Sequence, residues 1–213
     1  MKTGDLVAML ATGAGSVQPN QAARRYASAI AWGFLGAALL MAVLLGPRRD
    51  FAQAVLLPMF WIKLGFAASL AAAGLLAAMC LSRPGRSLAW VPGAVSAPVL
   101  AMWVLAAIVL ARADPARRAV LFLGETAQSC PLLIALLAMP VFVAVVWAMK
   151  GLAPTRLRLA GAAAGLLSGA VGAVAYSVHC PEMQAPFIAF WYLLGMLIPT
   201  AAGAVLGPRL LRW

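Results

Sequence analysis

Acidic side chains are scarce in this chain, with 5 Asp and Glu against 16 Lys and Arg, and all charged residues together make up only 10% of 213 positions. A soluble domain carries about 25% charged residues, so water is not the main solvent of this polypeptide. The scarcity also removes whole classes of chemistry. The hydrophobic runs hold no paired carboxylates of the kind that relay protons, and no phosphate loop, HExxH or Cys-x-x-Cys occurs anywhere. The single histidine, His179, lies at the wrong end of its own helix to serve Ser168, so the Ser168-Gly169 pair does not make an intramembrane serine protease. A quinone-linked thiol oxidase needs a second redox cysteine pair, and Cys80 stands alone. No enzymatic activity is expected.

What is present is apolar surface, since 65% of the residues are hydrophobic. A bilayer core takes about 20 apolar residues per helix at about 1.5 Å rise each. Six segments qualify, approximately 27–45, 59–81, 91–111, 131–149, 159–178 and 189–206. They are long and rich in Ala and Leu and lack the short alternation of a membrane barrel. The expected fold is therefore an all-α integral membrane protein, a bundle of six transmembrane helices occupying 27–207, preceded by a segment at 1–26 and followed by a tail at 208–213.

Basic residues near helix ends are retained on the cytoplasmic side. With the N-terminus inside, the inner pieces hold Lys2, Arg24, Arg25, Arg83, Arg86, Lys150, Arg156, Arg158, Arg209 and Arg212, while the outer loops hold Arg48, Arg49, Arg112, Arg117 and Arg118. Asp50, Asp114, Glu125 and Glu182 also fall outside. Both termini are then cytoplasmic, and the net charge of +11 is a topology signal. Direct nucleic-acid binding is not expected, because the bases are scattered over short loops. No cleavable signal peptide is expected either, since the first 26 residues are too polar.

In the N-terminal segment a short helix is expected over 3–11, followed by a Gly/Ser/Pro/Asn linker over 12–20. Leu6, Met9 and Leu10 share one face with Val7 beside them. That face either rests on the membrane or docks a cytoplasmic protein. Small residues recur every fourth position at Gly161, Gly165, Gly169 and Ala173, and again at Gly195, Pro199, Gly203 and Gly207. Such rows let backbones approach closely and are read as seams within the bundle. Trp61, Trp147, Trp191, Tyr192 and Trp213 suit an interfacial aromatic belt. Lys63 is the ionisable residue inside a span, either snorkelling outward or paired with Glu125 or Glu182. The outer loop at 112–129 carries an apolar run, 119–123, that suits the interface.

The most telling pattern is a pair of Cys-Pro steps, Cys130-Pro131 and Cys180-Pro181, each where a span meets an outer loop. The chain between them crosses inward and back, so both thiols stand at one depth on one side. Around them lie His179, Glu182 and Glu125. Three readings stay open: a permanent disulfide staple, a redox-switchable pair, or ligands for zinc, copper or cadmium, with two Cys, one His and one Glu filling a tetrahedral site. A Cys-Pro step also simply starts or stops helices.

The opening Met-Lys-Thr-x-x-Leu at 1–6, Phe60-Trp61-Ile62-Lys63-Leu64, Ser129-Cys130-Pro131, His179-Cys180-Pro181-Glu182 and the ending Gly207-Pro208-Arg209-Leu210-Leu211-Arg212-Trp213 together resemble the NrsF family. The resemblance runs through the whole chain. It implies a bacterial inner-membrane anti-sigma factor that restrains an extracytoplasmic-function (ECF) sigma factor. The N-terminal segment would hold the sigma factor at the cytoplasmic face, helped by the basic loops, and Cys130 and Cys180 would sense heavy-metal or oxidative stress from the periplasm. Any zinc, copper or cadmium at the pair would be transient rather than a resident cofactor. A small six-helix transporter or channel for a metal ion or other solute is the alternative class.

Overall fold

A helix made mostly of Ala, Gly and Leu can be enclosed on nearly all sides, and in the computed structural model that helix is Leu157–Tyr176 (α8). Of its most apolar stretch 83% is buried by the rest of the protein, against 11% for the peripheral helix Val91–Arg112 (α5). The structure describes residues 3–12, 21–83, 87–152 and 154–212. Lys2, Arg86, Trp213 and most of the expected linker lie outside them.

In chain order the remaining helices are α1 (Thr3–Thr12), α2 (Gln21–Leu44), α3 (Phe51–Ala54), α4 (Pro58–Leu81), α6 (Pro115–Leu123), α7 (Cys130–Lys150) and α9 (Ala185–Leu210), whose second turn, Ile188–Tyr192, is π-helical. Six of these, α2, α4, α5, α7, α8 and α9, are long and apolar enough to cross a membrane. The described residues contain no strand. Around α8 sit α9, α4 and α7; α2 packs on α7, and α5 leans on α4 and the first turns of α9.

Proline starts many of these helices, at or next to the first position of α4, α5, α6, α7 and α9, where its missing N–H costs nothing. Pro98, Pro140 and Pro199 sit inside spans, a use tolerated where neighbouring helices support the broken turn.

The small-residue rows do form an intramolecular seam. A Cβ on Gly165 would collide with the Pro199 carbonyl and lie 2.6 Å from Thr200 Cα, and one on Gly161 would strike the Gly203 carbonyl. Backbone lies against backbone along α8 and α9. Gly74 brings α4 equally close to α8, its absent Cβ 2.8 Å from the Leu167 nitrogen. At the end of the bundle away from the cysteine pair, the buried Tyr26 hydroxyl joins Ser82 Oγ at 2.7 Å and donates to the Ala78 carbonyl at 3.2 Å, bolting α2 to α4. Ser168 donates to the Ala164 carbonyl at 2.6 Å within its own helix, a satisfied core hydroxyl rather than a nucleophile.

Helix α1 matches the expected short helix, and every one of its residues is exposed, Leu6, Val7, Met9 and Leu10 included. The run at 119–123 belongs to α6, where Leu121 and Phe122 are half-buried and the other three residues are exposed. Trp61 and Trp147 are exposed as a belt requires. Tyr192 is not: it is fully buried, because the π-helical turn swings it inward.

Candidate functional site around the two cysteines

Helix α7 begins at Cys130, whose amide donates to the Thr126 carbonyl at 2.9 Å. Helix α8 ends at Tyr176, and the amides of His179 and Cys180 both return to the Tyr176 carbonyl at 3.0 Å. This tight turn, followed by Pro181 with no N–H to continue a helix, folds Cys180 back onto the bundle. Both cysteines are fully buried, and all three cysteines of the chain are free thiols. The Cys130 and Cys180 thiols lie close enough for each to act on the other's protonation. The expectation that the two thiols stand together at one end of the bundle is what the structure shows.

The neighbouring Cys130 thiol is the largest influence on Cys180 and holds it below the ordinary range; burial opposes this, and the nearby Lys63 ammonium adds to it. Lys63 neither snorkels nor meets a carboxylate. It is fully buried, and its Nζ donates to the Cys180 carbonyl at 3.1 Å and the Glu182 carbonyl at 3.2 Å, with the Tyr192 ring centroid 5.6 Å away. The physical reason is the inward turn at Cys180, which lays two backbone carbonyls over the second turn of α4 and leaves no path to solvent.

Glu182, one of the expected partners of that lysine, faces elsewhere. Its Oε1 accepts the Glu125 amide at 2.7 Å and the Thr126 hydroxyl at 3.4 Å. Gly124, at φ +55°, makes room for this: a Cβ there would stand 2.6 Å from the carboxylate. The Glu125 side chain is not what brings that residue into the site; its backbone is. His179 Nδ1 donates to the Gly46 carbonyl at 2.8 Å, fastening the corner after α2. The four side chains expected to fill a tetrahedral metal site thus divide, with the two sulfurs facing one another and His179 and Glu182 engaged in loop contacts. Among the described residues no three His, Cys, Asp or Glu gather at metal-binding spacing.

Three further side chains complete the site, and none carried a sequence signal strong enough to find it. Tyr176 lies against both thiols. Tyr192, its ring 5.9 Å from that of Tyr176, places a buried hydroxyl beside Cys180 and Ser177 without completing a hydrogen bond. Arg48 reaches the Cys180 carbonyl at 3.4 Å and grips Asp50 with both Nε and Nη2, at 2.7 and 2.6 Å. The Asp50 hydrogen bond holds Arg48 above its ordinary value, and Arg48 in turn holds Asp50 below the usual carboxylate range.

The arrangement can hold one thiolate, offset by a buried ammonium, beside a second thiol. That is the chemistry of a disulfide about to form or a pair of soft ligands.

A family model described as NrsF, negative regulator of sigma F, matches residues 10–213. The probable anti-sigma-F factor NrsF of Azospira oryzae is 61% identical over 213 residues, covering 100% of both chains. The anti-sigma-F factor NrsF of Caulobacter vibrioides is 42% identical over 217 residues, again covering 100% of both. No solved structure matches the chain.

Proposed function

The chain belongs to the NrsF family of negative regulators of sigma F, and from that premise we propose that it is an inner-membrane anti-sigma factor that holds an ECF sigma factor at the cytoplasmic face. Stress at Cys130 and Cys180, by oxidants or thiophilic metals such as zinc, copper or cadmium, releases the sigma factor. Full-length similarity to two anti-sigma-F factors carries the regulatory reading, and the buried thiol pair supports the sensing one. The exposed α1 face, Leu6, Val7, Met9 and Leu10, supplies the docking surface, with the basic loops beside it. Both termini lie in the cytoplasm and the thiols near the periplasm, an orientation that the distribution of Lys and Arg supports.

Co-purification from bacterial membranes tests the sigma-binding step. The native chain is expected to retain its sigma factor, and a variant with Leu6, Met9 and Leu10 all changed to Asp is expected to lose it, since each buried apolar side chain contributes roughly 1.5–3 kcal/mol. Unchanged retention by a stably inserted variant would remove α1 from the interface and leave it a segment resting on the membrane.

A further inference from the structure

A buried ammonium needs compensation, because removing a charge from water is costly unless it is paired and hydrogen-bonded. Lys63 has two carbonyl acceptors, those of Cys180 and Glu182, but no carboxylate within ion-pair distance among the described residues. The groups that face it come from the surrounding elements: Phe60 on α4, Arg48 from the corner before α3, Cys130 on α7, Tyr192 on α9, and Cys180 and Glu182 of the turn between α8 and α9. The Glu182 carboxylate is committed to the Glu125 amide. The Glu182 carboxylate keeps its charge and attracts Lys63 more weakly than Cys180 does, so the strongest answer to Lys63 is a thiolate, and the sulfur whose own backbone carbonyl Lys63 grips is that of Cys180.

We propose that Lys63 is the positioning residue of the thiol pair, fixing Cys180 as the attacking sulfur and Cys130 as the resolving one. This deepens the sensing role given above to the two cysteines and rests on it. The direction of the Cys180 thiol, held below its ordinary range, agrees with the geometry. Towards hydrogen peroxide the Cys180 thiolate attacks one oxygen; the S–O bond forms, the O–O bond breaks, and hydroxide leaves to take up a proton. The Cys130 sulfur then attacks the sulfenic sulfur. The S–S bond forms, the S–O bond breaks, and the departing hydroxide leaves as water with the Cys130 proton. Two thiols are oxidised and one peroxide is reduced to two waters. The product leaves Lys63 facing no thiolate, held by two carbonyls of the turn it anchors and by the weaker pull of the Glu182 carboxylate.

The test uses the full chain carrying Cys80→Ser in detergent or lipid nanodiscs, with the Cys130–Cys180 disulfide counted by intact mass as a function of pH after a pulse of hydrogen peroxide. The wild-type rate is expected to level off with a midpoint clearly below the ordinary thiol value of about 8.5. Lys63→Met is expected to raise that midpoint by about one unit or more, and Lys63→Arg, which keeps the charge, to hold it low. A merely structural role would scale the rate at every pH and leave the midpoint in place. A wild-type midpoint at or above the ordinary thiol value overturns the proposal without any variant, and so does a Lys63→Met profile superimposable on the wild type. Failure of the sensing role itself shows separately, as normal induction in cells whose chain lacks both cysteines.

Discussion

At the scale of single residues, the two sulfurs differ in kind although the sequence presents them as twins in matching Cys-Pro steps. Cys130 opens a helix, whereas Cys180 sits in a turn over a lysine. Either one changed to Ser should leave the regulator present at normal abundance but unresponsive to oxidants and thiol-reactive metals, as read by a reporter for the sigma-dependent genes. A permanent staple would instead give an unstable, scarce protein, since losing a structural disulfide costs about 2–5 kcal/mol. Full induction in a well-expressed Cys130→Ser/Cys180→Ser variant would sink the sensing role. In the same reporter His179→Ala should preserve the response to oxidants, because its Nδ1 is engaged with the Gly46 carbonyl.

At the scale of elements, hydropathy and helical spacing made much of the fold legible. The six expected spans fall on α2, α4, α5, α7, α8 and α9 with ends displaced by a few residues, and the two every-fourth-residue rows face each other except at Gly195, which lies against Ile134 of α7. The partners of Lys63, Glu182 and His179 were not legible, because each is a backbone carbonyl or amide presented by a turn, and backbone atoms carry no sequence signature. Tyr192 was misplaced for a related reason: a π-helical turn changes which face a residue occupies, and nothing in the 188–192 residue types announces it. The seam offers a contrast that checks the packing. Gly165→Val forces backbone apart and should cost roughly 1–3 kcal/mol or more in a detergent unfolding assay. Gly65→Ala in α4, where an added Cβ meets nothing within 4 Å, should be neutral or stabilising by about 0.5–1 kcal/mol. Equal effects at the two positions would contradict the seam.

At the scale of the whole molecule, the orientation assigned from basic residues can be read at exposed loop positions. In a chain whose three cysteines are Ser, Gln128→Cys in the exposed loop before α7 should react with an impermeant maleimide added to intact cells, and Thr155→Cys, exposed at the opposite end, should not. The reverse pattern would place the sensing thiols in the cytoplasm and end the periplasmic model. Finally, the enclosure of α8 bears on biogenesis. A helix that meets protein on most of its surface has little reason to favour lipid, and α8 has the lowest hydropathy of the six spans while α7 has the highest. The short connection at 151–156 joins the two. The translocon would therefore receive them as a helical hairpin, in which the strongly lipid-seeking α7 carries in a partner that partitions weakly on its own, and the glycine face of α8 would wait in the bilayer for α9 to emerge and close it.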